Sequence, residues 1–432
     1  MAVSKPILIS GAGLSSLLLG RSLLRAGIPF QIFERDASIS FRAQGYRLRL
    51  SAEGLDAIES VLGPKGFQKF WDKCGKTGGG GFGALDAITG VRVPLSEVPQ
   101  GAPTTAPTPT TTTAAAAAAA RASNTDDSSK ADDAEKKIQE MLHSREGKVV
   151  GIARGDMRKL FMEECEPFIK WSHHVTGYEL TGSGVKAIFA DGSKSEEGDM
   201  LIGGEGIYSK VARQLSEGKL KVYDTGARGI HGQAPTTAFK QLGEGVWRAA
   251  DNTNPDGKIF VITNVRPGDM DDPNLEFGWT MGAQPGVINA PNDDFSLIGE
   301  PAARIAKKLT EKWHPRLKPL FDEMRSSEAA FWKITCSTPS GVPEWKNEPR
   351  VTVIGDAVHS MTPAGGIGAN TAVRDSALLG RLLGEAGGYR EGITEAYERE
   401  MRVYGSEAVA KSYGLAVSQF GISIDEGVSA TV

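Results

Sequence analysis

Cysteine is almost absent from this chain. Its three copies, Cys74, Cys165 and Cys336, are odd in number, far apart and never in CxxC spacing, which argues against a disulfide framework or a structural zinc and fits a reducing compartment. No metal site is expected. A basic excess is missing too: 49 lysines and arginines face 53 acidic residues, a formal net charge of -4. Nothing in that balance neutralises a phosphate backbone or an anionic membrane surface, so nucleic acid is not an expected partner. No apolar run approaches the roughly 18 to 20 residues that cross a bilayer, so no transmembrane segment is expected. Apolar sequence starts at Ile7 and enters a glycine turn with no charged leader or cleavage site ahead of it, which predicts a cytoplasmic location.

What is present is ordinary globular material: 432 residues, 40% hydrophobic and 24% charged, enough for two or three layered domains. Residues 6–34 read as a β-α-β unit, with strand "PILIS", turn "GAGLSS", helix "LLLGRSLLRAG" and strand "IPFQIFER". An extended "YRLRL" and a helix "SAEGLDAIESVLG" follow. From Gly101 the composition shifts to Thr, Pro and Ala, including the alanine run Ala114–Ala120. Such a stretch has too few large apolar groups to offset its ordering entropy, so residues 101–147 are expected to form a mobile insertion. Beyond it come a strand-turn-helix, "KVVGIARGDMRKLFMEECEPF", and a buried strand in "DMLIGGEG". Several short β-like runs then lie between 223 and 339, among them "KIFVITNV" and "LEFGWTMG". The strand "RVTVIGDA", a glycine-rich turn and a long helix close the pattern, before a helical C-terminus.

In "GAGLSS", Gly11 permits the tight turn after the strand, and Gly13 lets the backbone approach a pyrophosphate at the helix N-terminus, where free N–H groups favour an anion. Ser15 lies on the same turn, and Ser16 replaces the third glycine of the fingerprint with another small residue. Glu34 ends the second strand, 21 residues after Gly13, where a carboxylate accepts hydrogen bonds from ribose hydroxyls. Arg35 stands beside it.

The segment "VIGDAVHSMTPAGGIGAN", Val353 to Asn370, resembles the class A flavoprotein monooxygenases, the para-hydroxybenzoate hydroxylase-like, single-component FAD enzymes common in fungal secondary metabolism. In that family a Gly-Asp pair, here Gly355 and Asp356, ends a strand and holds the FAD ribityl chain. A stretch matched by Pro363, Gly365, Gly366, Gly368, Ala369 and Asn370 then runs under the flavin ring. The physical reading agrees, because glycines permit backbone contact with a flat ring and a helix N-terminus favours the negative charge of a reduced flavin. Arg42, Gly45 and Arg154 resemble further family positions against the cofactor. "DMLIGGEGIYSKVAR" is similar to the family's Gly-Ala-Asp-Gly signature, with Glu205 in place of Asp and Ala212 where arginine is common.

The resemblance implies an α/β fold with a Rossmann-like FAD-binding domain assembled from 1–80, 148–222 and 340–387. It also implies a substrate domain of antiparallel sheet plus helices from 81–100 and 223–339, and a helical C-terminal segment from 388 to 432. It further implies that NADPH acts as a transient electron donor, since only one dinucleotide fingerprint is present. Dioxygen would then form a flavin C(4a)-hydroperoxide that hydroxylates or epoxidises an aromatic or unsaturated small molecule. An FAD reductase of the geranylgeranyl reductase kind and a non-catalytic flavin-binding escort remain alternatives. His231 and Arg49 are candidates for drawing a proton from a phenolic substrate, or else a sheet histidine and a strand-surface arginine. Trp279 and Met281 alternate along "FGWTM" and so share one face of a strand; they either wall the substrate cavity or pack in the core.

Overall fold

The computed structural model describes residues 5–39, 47–78, 82–94, 143–272 and 274–432. Arg42, Gly45 and the Thr/Ala-rich stretch through residue 142 lie outside them.

The strand Ile7–Ser10 is buried along its whole length, as expected of a strand covered on both faces. It is central to a five-stranded parallel sheet, in the order Val351–Val353, Met200–Gly203, Ile7–Ser10, Phe30–Phe33, Ile169–Lys170. The helix Leu14–Arg25 packs against the helix Gly368–Ala386, which brings the N-terminal turn and the late glycine motif together. Small residues permit this approach: a Cβ on Gly380 would come within 2.3 Å of the Ser22 hydroxyl.

A seven-stranded sheet forms the second layer, in the order Ala330–Ser337, Val222–Pro235, Glu276–Ala283, Ile259–Val265, Gly245–Asp251, Phe82–Asp86, Arg92–Val93. It departs from the expected antiparallel pattern at one pair, since Gly245–Asp251 runs parallel to Phe82–Asp86. The latter strand arrives from the nucleotide-side layer rather than through a hairpin, and a crossover can deliver a parallel strand. On one face Trp279, Phe277, Met281, Trp247 and Phe321 form a core with the helices Glu300–Leu309 and Pro319–Asp322. A smaller sheet of Arg47–Leu50, Val149–Ala153 and Gly75–Thr77 adjoins it, joined by a 3.0 Å hydrogen bond from Thr77 to Asn264.

Three expectations change. The helix read as ending at Gly63 resumes after a break there (φ 68°), with Pro64 opening the second part, so that it spans Ala52–Lys73. Residues 143–147, assigned to the mobile insertion, are tied down, because Arg145 binds Glu59 at 2.7 Å and also pairs with Asp56. The C-terminal segment, read as helical to residue 432, is helical over Ile393–Phe420, and that helix packs on Gly368–Ala386 and sets Phe420 5.1 Å from Phe260 of the large sheet. The residues after it return to that sheet, where the Val432 N–H donates to Val222 at 2.9 Å.

Candidate active site

Gly11 turns the chain at φ 85°, and a Cβ there would lie 2.7 Å from the Gly204 carbonyl oxygen and 2.9 Å from the Glu205 Cα. Gly13 is different. It caps the helix with φ −75°, and a Cβ would meet protein only at 3.7 Å. Protein packing therefore does not demand glycine at 13, whereas close approach of a ligand to this backbone does. The serine in the third glycine position is accommodated from the other side: a Cβ on Gly204 would be 2.2 Å from the Ser16 hydroxyl. Ser15 lines the same cleft, and its hydroxyl lies 2.7 Å from where a Gly355 Cβ would stand.

Glu34 is buried at the strand end. Its carboxylate accepts from the Ala12 N–H at 2.7 Å and the Asp36 N–H at 3.0 Å, with Arg158 3.5 Å away. A carboxylate has about four lone-pair positions, so acceptor capacity remains toward the cleft that Glu34 lines. Arg35 is exposed at the cleft and lies 3.8 Å from Asp36. Sequence reasoning missed Arg158, which donates to the Ala12 carbonyl at 2.9 Å and so braces the turn. Its signal was available, since it sits one helical turn after Arg154, and both line the cleft. Glu205 accepts from the Val211 N–H at 3.0 Å, and burial raises its pKa against the lowering effect of that bond and of the Ser209 and Ser10 hydroxyls.

Asp356 follows Gly355 (φ 63°) and opens onto the cleft. Burial pushes its carboxyl pKa up, while His359 and Arg154 pull it down. The turn that presents it is held by a group that sequence reading passed over. Asp375 accepts from the Gly355 N–H at 2.6 Å, from Tyr404 at 2.6 Å and from His359 Nε2 at 2.8 Å, all fully buried or nearly so.

Pro363, Gly366, Gly368 and Ala369 line the cleft at the N-terminus of the helix Gly368–Ala386. Asn370 lines the cleft as well, and its side chain serves the protein itself. Its amide donates to Arg49 and Gly366 carbonyls at 3.0 and 2.9 Å, and its oxygen accepts from the Ser51 N–H at 2.8 Å. The side chain is consumed in tying the strand Arg47–Leu50 to the glycine loop. Arg49, on that strand, reaches the Gly365 carbonyl at 3.4 Å, and burial lowers its pKa; it faces the cleft and is not a surface residue.

On the large sheet, directly paired residues form one rung: Ala330, His231, Thr280, Ile262, Arg248 and Ala84. His231 Nδ1 lies 3.0 Å from the Thr280 hydroxyl, and its ring stacks on Trp332 at 4.9 Å and 11°. Trp279 and Met281 do share a face, but it is the opposite one. Trp279 donates to the Leu320 carbonyl at 2.9 Å and both belong to the helix-packed core, leaving Gly278, Thr280 and Gly282 to line the cavity. Both therefore drop out as cavity walls.

Burial lowers the His231 pKa to about 3, so the imidazole is neutral at neutral pH and suited to hydrogen bonding rather than to taking up a proton. The unfolded chain takes up that proton near 6.5 and the folded one does not until about 3, so stability is present above 6.5 and falls as pH drops toward 3. His231→Asn should therefore lose less stability than wild type between pH 7 and pH 5. Urea midpoints at the two pH values measure this; equal losses would remove the buried neutral state.

All these elements border one continuous cavity of about 2040 Å³. A single small ligand occupies roughly 300–1,000 Å³, so the space accommodates a dinucleotide and a second molecule. Among the described residues no cluster of metal-binding side chains occurs and no helix is long and apolar enough to cross a membrane.

A family model described as an FAD binding domain matches residues 105–412. The chain is 26% identical over 426 residues to the dual O-methyltransferase/FAD-dependent monooxygenase CTB3 of Cercospora beticola, covering 89% of this chain and 43% of that protein. With the like-named dual enzyme elcB of Phaeosphaeria nodorum it is 28% identical over 415 residues, covering 88% and 40%. The chain thus spans about two fifths of the length of these relatives. Among solved structures, Klebsiella pneumoniae HpxO complexed with FAD and uric acid superposes with a TM-score of 0.67 at 15% identity, covering 96% of this chain and 88% of that one.

Proposed function

Because this chain belongs to the FAD-dependent monooxygenases, we propose that it uses NADPH and dioxygen to hydroxylate or epoxidise an aromatic or unsaturated small molecule, of the kind found in secondary metabolism. One observation carries this reading: the dinucleotide turn, Asp356 and the glycine loop open into the same cavity as the His231 rung of the large sheet. A cofactor and a substrate can meet there.

The residues fit FAD. Gly11 and Gly13 leave the helix N-terminus open to the pyrophosphate, with Ser15 beside it, and Glu34 has acceptors for ribose hydroxyls. Arg154 and Asp356 line the same cavity, where Asp356 would offer an acceptor to the ribityl hydroxyls. Pro363, Gly366, Gly368 and Ala369 provide a side-chain-poor surface for the ring. When bound and reduced, FAD supplies the oxygen-activating chemistry. The chain's part is to hold the substrate and exclude water. His231, neutral and anchored on Thr280, lines the cavity as a hydrogen-bonding group for a phenolic substrate, and Arg49 lines the same cavity from the strand Arg47–Leu50.

The test starts with protein carrying FAD under nitrogen. NADPH should bleach the flavin absorbance, and admitted air should restore it with oxygen uptake. A flavin that NADPH reduces but air leaves bleached would instead identify a reductase.

A further inference from the structure

Four residues, Asp356–His359, form a single helical turn between the strand Val351–Val353 and the glycine loop. The first and last side chains of that turn, three positions apart, fall on one side of it. Asp375, from the helix Gly368–Ala386, grips the turn at both ends with one oxygen: Oδ2 accepts from the Gly355 N–H at 2.6 Å and meets His359 Nε2 at 2.8 Å. Its Oδ1 accepts from the Tyr404 hydroxyl at 2.6 Å. Such a convergence of donors suits a carboxylate. Asp375 and His359 are both 0% exposed, so a negative charge buried here needs a positive one beside it.

Among the described residues, the base in ion-pair contact with Asp375 is His359. Burial opposes a charge on its ring, yet Asp375, Asp356 and its own backbone carbonyl together raise its pKa above the usual histidine value. The neighbouring groups do not compete for the proton. Tyr397 and Tyr404 of the helix Ile393–Phe420 stay protonated phenols, because burial and Asp375 push their pKa values up. Cys336 of the adjoining strand stays a thiol, pushed by burial to about 12. Arg374 lies over the Tyr404 ring, 4.2 Å from its centroid, and Glu205 precedes the turn Gly206–Tyr208 that packs on this helix. Arg154 acts on Asp356 from the helix Arg154–Met162.

We propose that His359 is a positioning residue for FAD: as an imidazolium fixed by Asp375, it keeps the Asp356 carboxylate ionised to receive the ribityl hydroxyls of the cofactor. The inference rests on the reading that Asp356 binds FAD. Burial raises the Asp356 pKa, with a further push from Asp375, whereas His359 and Arg154 lower it. Removing the imidazolium leaves Arg154 alone against the second carboxylate. Asp356 then takes up a proton at a higher pH, and the hydroxyls meet a neutral carboxyl, a weaker partner than a carboxylate.

The measurement is the FAD dissociation constant of the full chain from pH 6 to pH 9, read as the recovery of FAD fluorescence on dilution of the loaded protein. Wild type should hold one affinity over that range. His359→Gln keeps a donor for Asp375 but no charge; it should bind FAD about tenfold more weakly at pH 6 and regain wild-type affinity at pH 9, where Asp356 ionises without help. In an Asp356→Asn background the same substitution should change nothing. An equal loss at every pH would make His359 a packing residue, and wild-type affinity at pH 6 would leave it no part; either overturns the proposal, as does a wild-type affinity that itself falls from pH 9 to pH 6. Should His359→Gln fail to fold, His359→Asn also lacks the charge, and the wild-type profile still decides. Unchanged affinity in Asp356→Asn would overturn the cofactor role of Asp356 together with the proposal, whereas a defect there without the pH-dependent effect of His359 would overturn the proposal alone. Binding is read without turnover, so the monooxygenase reading stands or falls separately.

Discussion

Asp356→Ala should purify as a folded, colourless protein. The carboxylate opens onto the cleft, and no hydrogen bond within the described chain engages it. Its backbone position does not depend on its side chain, because Asp375 holds the Gly355 N–H and the strand Val351–Val353 fixes what precedes. Alanine therefore deletes one acceptor and leaves the turn. In the absence of cofactor that deletion should be neutral or slightly stabilising, since burial disfavours the charged form. With cofactor the loss is a hydrogen bond to a charged group, about 1.5–3 kcal/mol, or roughly tenfold to a hundredfold in affinity. Flavin absorbance per polypeptide after gel filtration, set beside the thermal midpoint of the apoprotein, separates the two effects. Full retention of bound flavin would remove Asp356 from the cofactor site; a collapsed midpoint would make it a structural residue.

The local frame of Asp356 was legible, although Asp375, which holds the Gly355 N–H, was not. A strand, a positive-φ glycine and a helix start follow one another along the chain, and the same holds for Gly11, Gly13 and the helix after them. What escaped the sequence was decided across distance. Alternation places Trp279 and Met281 on one face of their strand, but only the helices Glu300–Leu309 and Pro319–Asp322 decide which face is covered. The residues between them, Gly278, Thr280 and Gly282, are the small ones that leave room for a cavity. Asn370 sits in a motif associated with the cofactor, yet its amide is taken by a carbonyl 321 positions away. Asp375, likewise, becomes important only when the chain brings Gly355, His359 and Tyr404 around it.

The two glycines of the N-terminal turn should behave oppositely, and this contrast tests how the turn is built. Gly11→Ala puts a Cβ 2.7 Å from the Gly204 carbonyl oxygen and 2.9 Å from the Glu205 Cα. Both are backbone atoms of a segment fixed by parallel pairing of Met200–Gly203 with Ile7–Ser10, so no side chain can swing aside. The backbone at φ 85° adds the left-handed cost of about 1–2 kcal/mol. Overpacking adds about 1–3 kcal/mol. The apoprotein should lose about 3 kcal/mol, visible as a lower urea midpoint with unchanged slope. Gly13→Ala meets protein only at 3.7 Å and keeps an ordinary φ of −75°, so the apoprotein should hold its midpoint. If the cofactor pyrophosphate sits at this helix N-terminus, as proposed, the new methyl group crowds it and FAD affinity should fall. Equal apoprotein stability in the two variants would mean that the contact between Gly11 and Gly204 does not constrain the turn. Unchanged FAD affinity in Gly13→Ala would mean that the cofactor phosphates lie elsewhere.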